Sequence, residues 1–154
     1  HSFDFRFETN GNNRFLEIAI DLMPHGFAML VELMGRHNIT AFKDNYSENS
    51  YNCSFLYSNC SVNFSFKQAQ NLEKKFEFSV NNFKYIRIQN IGLNNYQVML
   101  ECVEQNRTIN IEDPFEIYAT KFINSYLHKK SDSINDYKKS SHSLTLMAKS
   151  LIKY

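Results

Sequence analysis

A two-residue hydrophobic period recurs along most of this chain and constrains its fold more than any other feature. Phe3, Phe5 and Phe7 alternate with Asp4, Arg6 and Glu8. Successive side chains of an extended backbone point to opposite faces, so this pattern buries three rings on one face and leaves charge on the other. The same period returns at Val62, Phe64 and Phe66, at Phe76, Phe78 and Val80, at Tyr96 to Val103 and, briefly, at Arg107 to Glu112. Asn81-Asn82 stands between two such runs, with Phe83 to Ile88 leading away from it, and predicts a tight hairpin.

Two further segments read as strands on the same grounds. Leu16, Ile18, Ile20 and Leu22 alternate with Glu17 and Asp21 after the turn residues Asn10-Gly11-Asn12-Asn13. Pro24-His25-Gly26 then breaks the chain. The apolar run Phe27 to Met34 fits a buried strand, although its Ala, Met, Leu and Glu also suit a helix closed by Gly35. Residues 43–52 read as a polar loop. About eight strands at this spacing predict a mainly β, antiparallel sandwich or jelly-roll-like domain. With 14 Phe, 9 Tyr and no Trp, the apolar set suits pleated surfaces but lacks the tryptophan of an immunoglobulin core.

The pattern changes at Asp113. Asp113, Pro114 and Glu116 form a helix start, and Phe115, Tyr118, Phe122 and Tyr126 follow at helical spacing, which predicts a packed helix over about 114–128. Residues 1–130 are therefore expected to form one β-rich domain that includes this helix. Residues 131–154 are expected to be a basic, polar linker, Ser131 to Ser141, and a weak amphipathic helix around Leu144, Met147, Ala148 and Leu151. The charge is uneven: residues 1–120 carry 10 basic and 14 acidic side chains, whereas 121–154 carry seven Lys against Asp132 and Asp136. The overall net charge of +1 predicts no nucleic-acid footprint, and no apolar stretch is long enough to span a membrane. A chain that starts at His1 reads as a processed protein or a piece of one.

Six N-x-[ST] acceptors occur, at Asn38, Asn45, Asn52, Asn59, Asn63 and Asn106, against roughly two or three expected by chance. Five of them crowd into residues 38–65. Cys53 and Cys60 lie inside two of these tripeptides, and in an oxidising compartment their pairing would close a short loop and leave Cys102 as a buried thiol. Catalytic chemistry is not legible. The five His are scattered at 1, 25, 37, 128 and 142, no Cys stands at ligand spacing from any of them, and the four Gly form no phosphate-binding loop. Ser141-His142-Ser143 places nucleophile and base types side by side without a geometry for catalysis, and Asp113 beside Glu112 is explained by capping. No catalytic, cofactor-binding or metal-binding residue is expected. The resulting expectation is a secreted or lumenal glycoprotein module without enzymatic activity, binding another protein through tyrosines such as Tyr46, Tyr51 and Tyr57. The alternative is an accessory subunit of an intracellular or organellar assembly, docked by its basic tail.

Overall fold

The computed structural model describes residues 1–91, 96–111 and 133–152, together with isolated helical positions at 120, 123, 124 and 127. Its elements run β1 (Ser2–Asn10), α1 (Leu16–Met34), β2 (Ile39–Ser47), β3 (Ser50–Tyr57), β4 (Cys60–Ala69), β5 (Lys75–Val80), β6 (Phe83–Ile91), β7 (Tyr96–Cys102), β8 (Arg107–Ile111) and α2 (Ser133–Leu151). The eight strands form one sheet in the order β2-β3-β4-β1-β5-β6-β7-β8. β1 is central and pairs parallel with β4, in register from Ser2↔Ser61 to Asn10↔Ala69, and antiparallel with β5 on its other side. All other neighbours are antiparallel.

The expected antiparallel sandwich or jelly roll is therefore corrected to a single mixed sheet flanked by helices. A sandwich buries its strands against a second sheet, whereas here a helix covers one face. The correction turns on residues 16–34, read as two strands and found as the 19-residue helix α1. Its buried residues are Ile18, Ala19, Leu22, Met23, Gly26, Phe27, Leu30 and Val31, which recur every three to four positions along one stripe. Ile20, a member of the supposed alternating set, is 56% exposed. The four residues 16, 18, 20 and 22 satisfied a period of two by coincidence. Pro24 sits inside the helix, and its missing amide costs one backbone bond without ending the element. Gly26 is there because the helix lies close on the sheet: a Cβ would fall 2.8 Å from Phe64 Cε2 and 3.1 Å from Phe5 Cδ1.

The expected loop over 43–52 is likewise a correction. It is the hairpin of β2 and β3, with Asn45 opposite Asn52 and Tyr46 opposite Tyr51. Among the described residues there are eight strands, the number expected, but β2 and β3 take the places assigned to residues 16–34. The Asn81-Asn82 turn stands where the sequence puts it, with Asn81 at a positive φ of 53°.

Phe3, Phe5 and Phe7 of β1 and Phe64 and Phe66 of β4 lie under α1 and are all buried. Phe64 is the hub, with ring centroids 5.2 Å from Phe27, 5.2 Å from Phe55 and 5.8 Å from Phe5. From Ser133 the expected linker is helical. α2 packs on α1, burying Leu146 and setting Lys139 Nζ 2.7 Å from Glu32 Oε2. Its buried Ser143 and Ser150 donate to the carbonyls of Lys139 and Leu146, one turn back. The helix expected over about 114–128 lies largely outside the described residues.

Candidate functional site

Because β1 and β4 run parallel, their carboxyl ends at Asn10 and Ala69 lie side by side. Open sheets with parallel strands take ligands beyond such carboxyl ends, where connections diverge. Two connections leave from here: residues 11–15 lead from β1 into α1, and residues 70–74 lead from β4 into β5. The amide of Gly11 donates to Ala69 O at 3.3 Å, Gln70 Nε2 donates to Asn12 Oδ1 at 3.2 Å, and Phe15 N donates to Glu48 O at 3.1 Å. Phe15 holds a positive φ of 52°, a strained conformation for a residue with a Cβ, at the point where the chain turns into the helix.

Over this corner α1 presents Asp21 and His25, four residues apart and so on one flank of the helix. Both are open to solvent on their outer side. Asp21 Oδ2 accepts from Gln68 Nε2 at 3.1 Å and from Asn13 Nδ2 at 3.1 Å. The His25 ring stands edge-on to Phe7, with centroids 5.2 Å apart and planes at 85°. Phe7 in turn meets Phe76 at 5.5 Å. Two cations flank this pair of rings: Lys74 Nζ lies 5.9 Å from the centre of Phe7, and Arg87 Cζ lies 5.7 Å from the centre of Phe76. Partial withdrawal from water pushes the His25 pKa below its ordinary value. Asp21 opposes that shift, while Lys74 and Arg87 add to it. The imidazole is therefore neutral at neutral pH, with a ring nitrogen available as a proton acceptor beside a fixed carboxylate.

Sequence reading missed every member of this group. Asp21 and His25 become neighbours only when the segment is helical; in a strand, four residues would separate them by about 13 Å. Gln68, Lys74 and Arg87 come from three other elements. Among the described residues no group of three or more His, Cys, Asp and Glu could hold a metal. No described helix is long and apolar enough to cross a membrane.

The residues singled out from sequence lie elsewhere. Asn38, Asn59 and Asn106 are exposed between elements, while Asn45, Asn52 and Asn63 fall on strands of the sheet face away from α1. Those three line a groove of about 640 Å³ with Asp4, Arg6 and Glu77. Two hydrogen bonds link its polar groups: Asn63 Nδ2 donates to Asp4 Oδ1 at 2.8 Å and Asn52 Nδ2 to Asn45 Oδ1 at 3.3 Å.

The expected Cys53–Cys60 disulfide is corrected: both are free and buried, as is Cys102. Cys60 pairs with Tyr57 and Cys53 with Phe64, so the two thiols stand four residues apart along the hairpin. That is about 14 Å, twice the reach of a disulfide. Burial raises the thiol pKa at both. Tyr51 and Tyr57, expected as exposed contacts, are core residues with no exposure, and only Tyr46 of the three faces water. Tyr57 donates to Gly35 O at 2.6 Å and accepts from the His37 amide at 2.9 Å.

At the level of sequence, no family model and no curated protein matches the chain. Its architecture does match solved structures. The dehydrogenase MviM from Clostridium difficile superposes with a TM-score of 0.61 at 14% identity, over 99% of this chain and 54% of that one. A Gfo/Idh/MocA family oxidoreductase from Vibrio cholerae gives 0.55 at 12% identity, over 96% and 50%. A candidate NADPH-dependent oxidoreductase from Desulfitobacterium hafniense gives 0.53 at 9% identity, over 99% and 55%. The chain spans about half the length of these structures. At such identities the likeness shows the fold alone. It corrects the expected sandwich: the sheet has the architecture that these oxidoreductases contain, so the expectation of a non-enzymatic recognition module finds no support in the fold.

Proposed function

We propose that this chain carries the proton-transfer site of an oxidoreductase acting on a hydroxyl or carbonyl compound, with His25 as the group that exchanges a proton with the substrate oxygen. The observation that carries this reading is the Asp21–His25 pair at the carboxyl ends of the parallel strands, in a sheet shared with oxidoreductases. Oxidation of an alcohol requires its hydroxyl proton to leave as the carbon gives up a hydride to a separate acceptor, which this chain's β1–α1 connection does not hold. A neutral imidazole takes that proton, and in the reverse direction returns it to the carbonyl oxygen. Asp21 favours the imidazolium that forms on the way, while withdrawal from water, aided by Lys74 and Arg87, favours the neutral resting ring. Phe7 fixes the plane of the ring.

The β1–α1 connection does not fit a dinucleotide cofactor. A pyrophosphate cradle needs several glycines between a strand and a helix start, and here Gly11 is followed by Asn12-Asn13-Arg14-Phe15. The chemistry derived from this chain is confined to the proton.

The hydride acceptor would be held elsewhere than by this connection, so the test supplies it from solution: turnover of hydroxylated substrates with added nicotinamide dinucleotide by the protein and by its His25→Asn variant. The variant should lose about 10²–10⁴-fold in kcat. Undiminished turnover in a folded His25→Asn protein refutes the assignment.

A further inference from the structure

The hydrogen bonding at this corner reaches one residue deeper than its two titratable groups. Gln68 ends the inward row Val62, Phe64, Phe66 on β4 and is 4% exposed. Its Nε2 donates to Asp21 Oδ2 at 3.1 Å, while its Oε1 is buried with no hydrogen-bond partner among the described residues. Leaving a buried acceptor unmade is costly, and an apolar side chain would avoid that cost. What the amide does for Asp21 therefore calls for a reason beyond packing. Gly11 supports the same view: a Cβ there would collide with Nε2 and Cδ of Gln68. The bare backbone of residue 11 leaves the space that the amide occupies at the end of β1.

We propose that Gln68 is a positioning residue for the Asp21–His25 pair: with Asn13, it ties down Oδ2 of Asp21 and keeps that carboxylate from turning onto the ring one helical turn above it. The proposal rests on the reading of His25 as the proton-transfer group. The charged groups that face His25 are Asp21 on α1, Lys74 before β5 and Arg87 on β6, and the β1 residue against it, Phe7, carries no charge. Asp21 alone among them favours the protonated ring, so the rotamer of Asp21 sets the balance. A carboxylate free to bond to the ring would hold it protonated, and a protonated ring cannot accept the substrate proton.

The experiment is an NMR titration of the imidazole carbon-bound protons in the intact protein, with the His25 signal assigned by its loss in His25→Asn. Gln68→Leu should raise the His25 midpoint by about one pH unit, a tenfold gain in proton affinity. Gly11→Ala, which displaces the amide without removing it, should shift it the same way and serves as the second variant if Gln68→Leu does not fold. In an Asp21→Asn background neither change should move the midpoint. A midpoint unmoved by these replacements in folded protein, or a shift that persists without the Asp21 carboxylate, overturns the proposal. The readout needs no turnover. A shifted midpoint beside undiminished His25→Asn activity would therefore keep the positioning role and refute the oxidoreductase reading alone.

Discussion

Replacing Phe64 with alanine tests the helix-on-sheet architecture where it is most concentrated. Phe64 is 1% exposed and its ring touches those of Phe3, Phe5, Phe27, Phe55 and Phe66 at centroid distances between 5.2 and 6.4 Å. These partners come from β1, α1, β3 and β4, so no single element can move to fill the space. Burial of a full phenyl ring contributes about 2–3 kcal/mol in transfer alone. The residual cavity adds to this, because the three surrounding strands are held by sheet hydrogen bonds and relax little, giving an expected loss of about 3–5 kcal/mol. The assay is urea unfolding followed by circular dichroism, with the slope in denaturant unchanged. Phe83→Ala, at a residue 43% exposed, serves as the control and should change stability by less than about 1 kcal/mol. A loss below about 1 kcal/mol for Phe64→Ala, or equal effects for the two, would refute the placement of α1 over β1 and β4.

Tyr57→Phe should destabilise by about 1–3 kcal/mol in thermal or urea unfolding, since the Gly35 carbonyl and the His37 amide both lose their partner; a neutral result would mean that water replaces the hydroxyl. Burial raises the Glu77 pKa, but hydrogen bonds and charge from Lys84 and Lys75 outweigh it and bring it below the ordinary carboxylate value. Its stabilising effect is therefore present above the unfolded pKa of about 4.3 and lost as pH falls through the lower folded value. Glu77→Gln should lower the midpoint of urea unfolding at pH 7 and leave it unchanged once Glu77 is protonated in the folded and the unfolded protein alike, whereas a difference that persists in acid would exclude the linkage. Alkylation should leave Cys53, Cys60 and Cys102 unmodified in the native protein and label all three in denaturant without prior reduction. A Cys53–Cys60 linked peptide would overturn the register of β3 on β4.

Local pattern, read without any tertiary information, determined β1 and β4 to β8. Each of these strands has an alternating face or a turn whose chemistry is contained within a few residues, as at Asn81-Asn82. Residues 16–34 could not be decided this way. Leu16, Ile18, Ile20 and Leu22 satisfy a strand period, and the helix wins because its stripe from Ile18 to Val31 buries eight residues, with Gly26 set close on Phe5 and on Phe64, the latter far along the chain. The parallel pairing of β1 with β4 joins Ser2 to Ser61, and no local signal announces a partner at that separation. The candidate site follows from these two events alone. Asp21 and His25 meet because their segment is helical, and Gln68 reaches Asp21 because the parallel register sets the end of β4 beside that of β1. Side-chain chemistry was legible residue by residue, but proximity was not, because it depends on long-range burial rather than on neighbours in sequence.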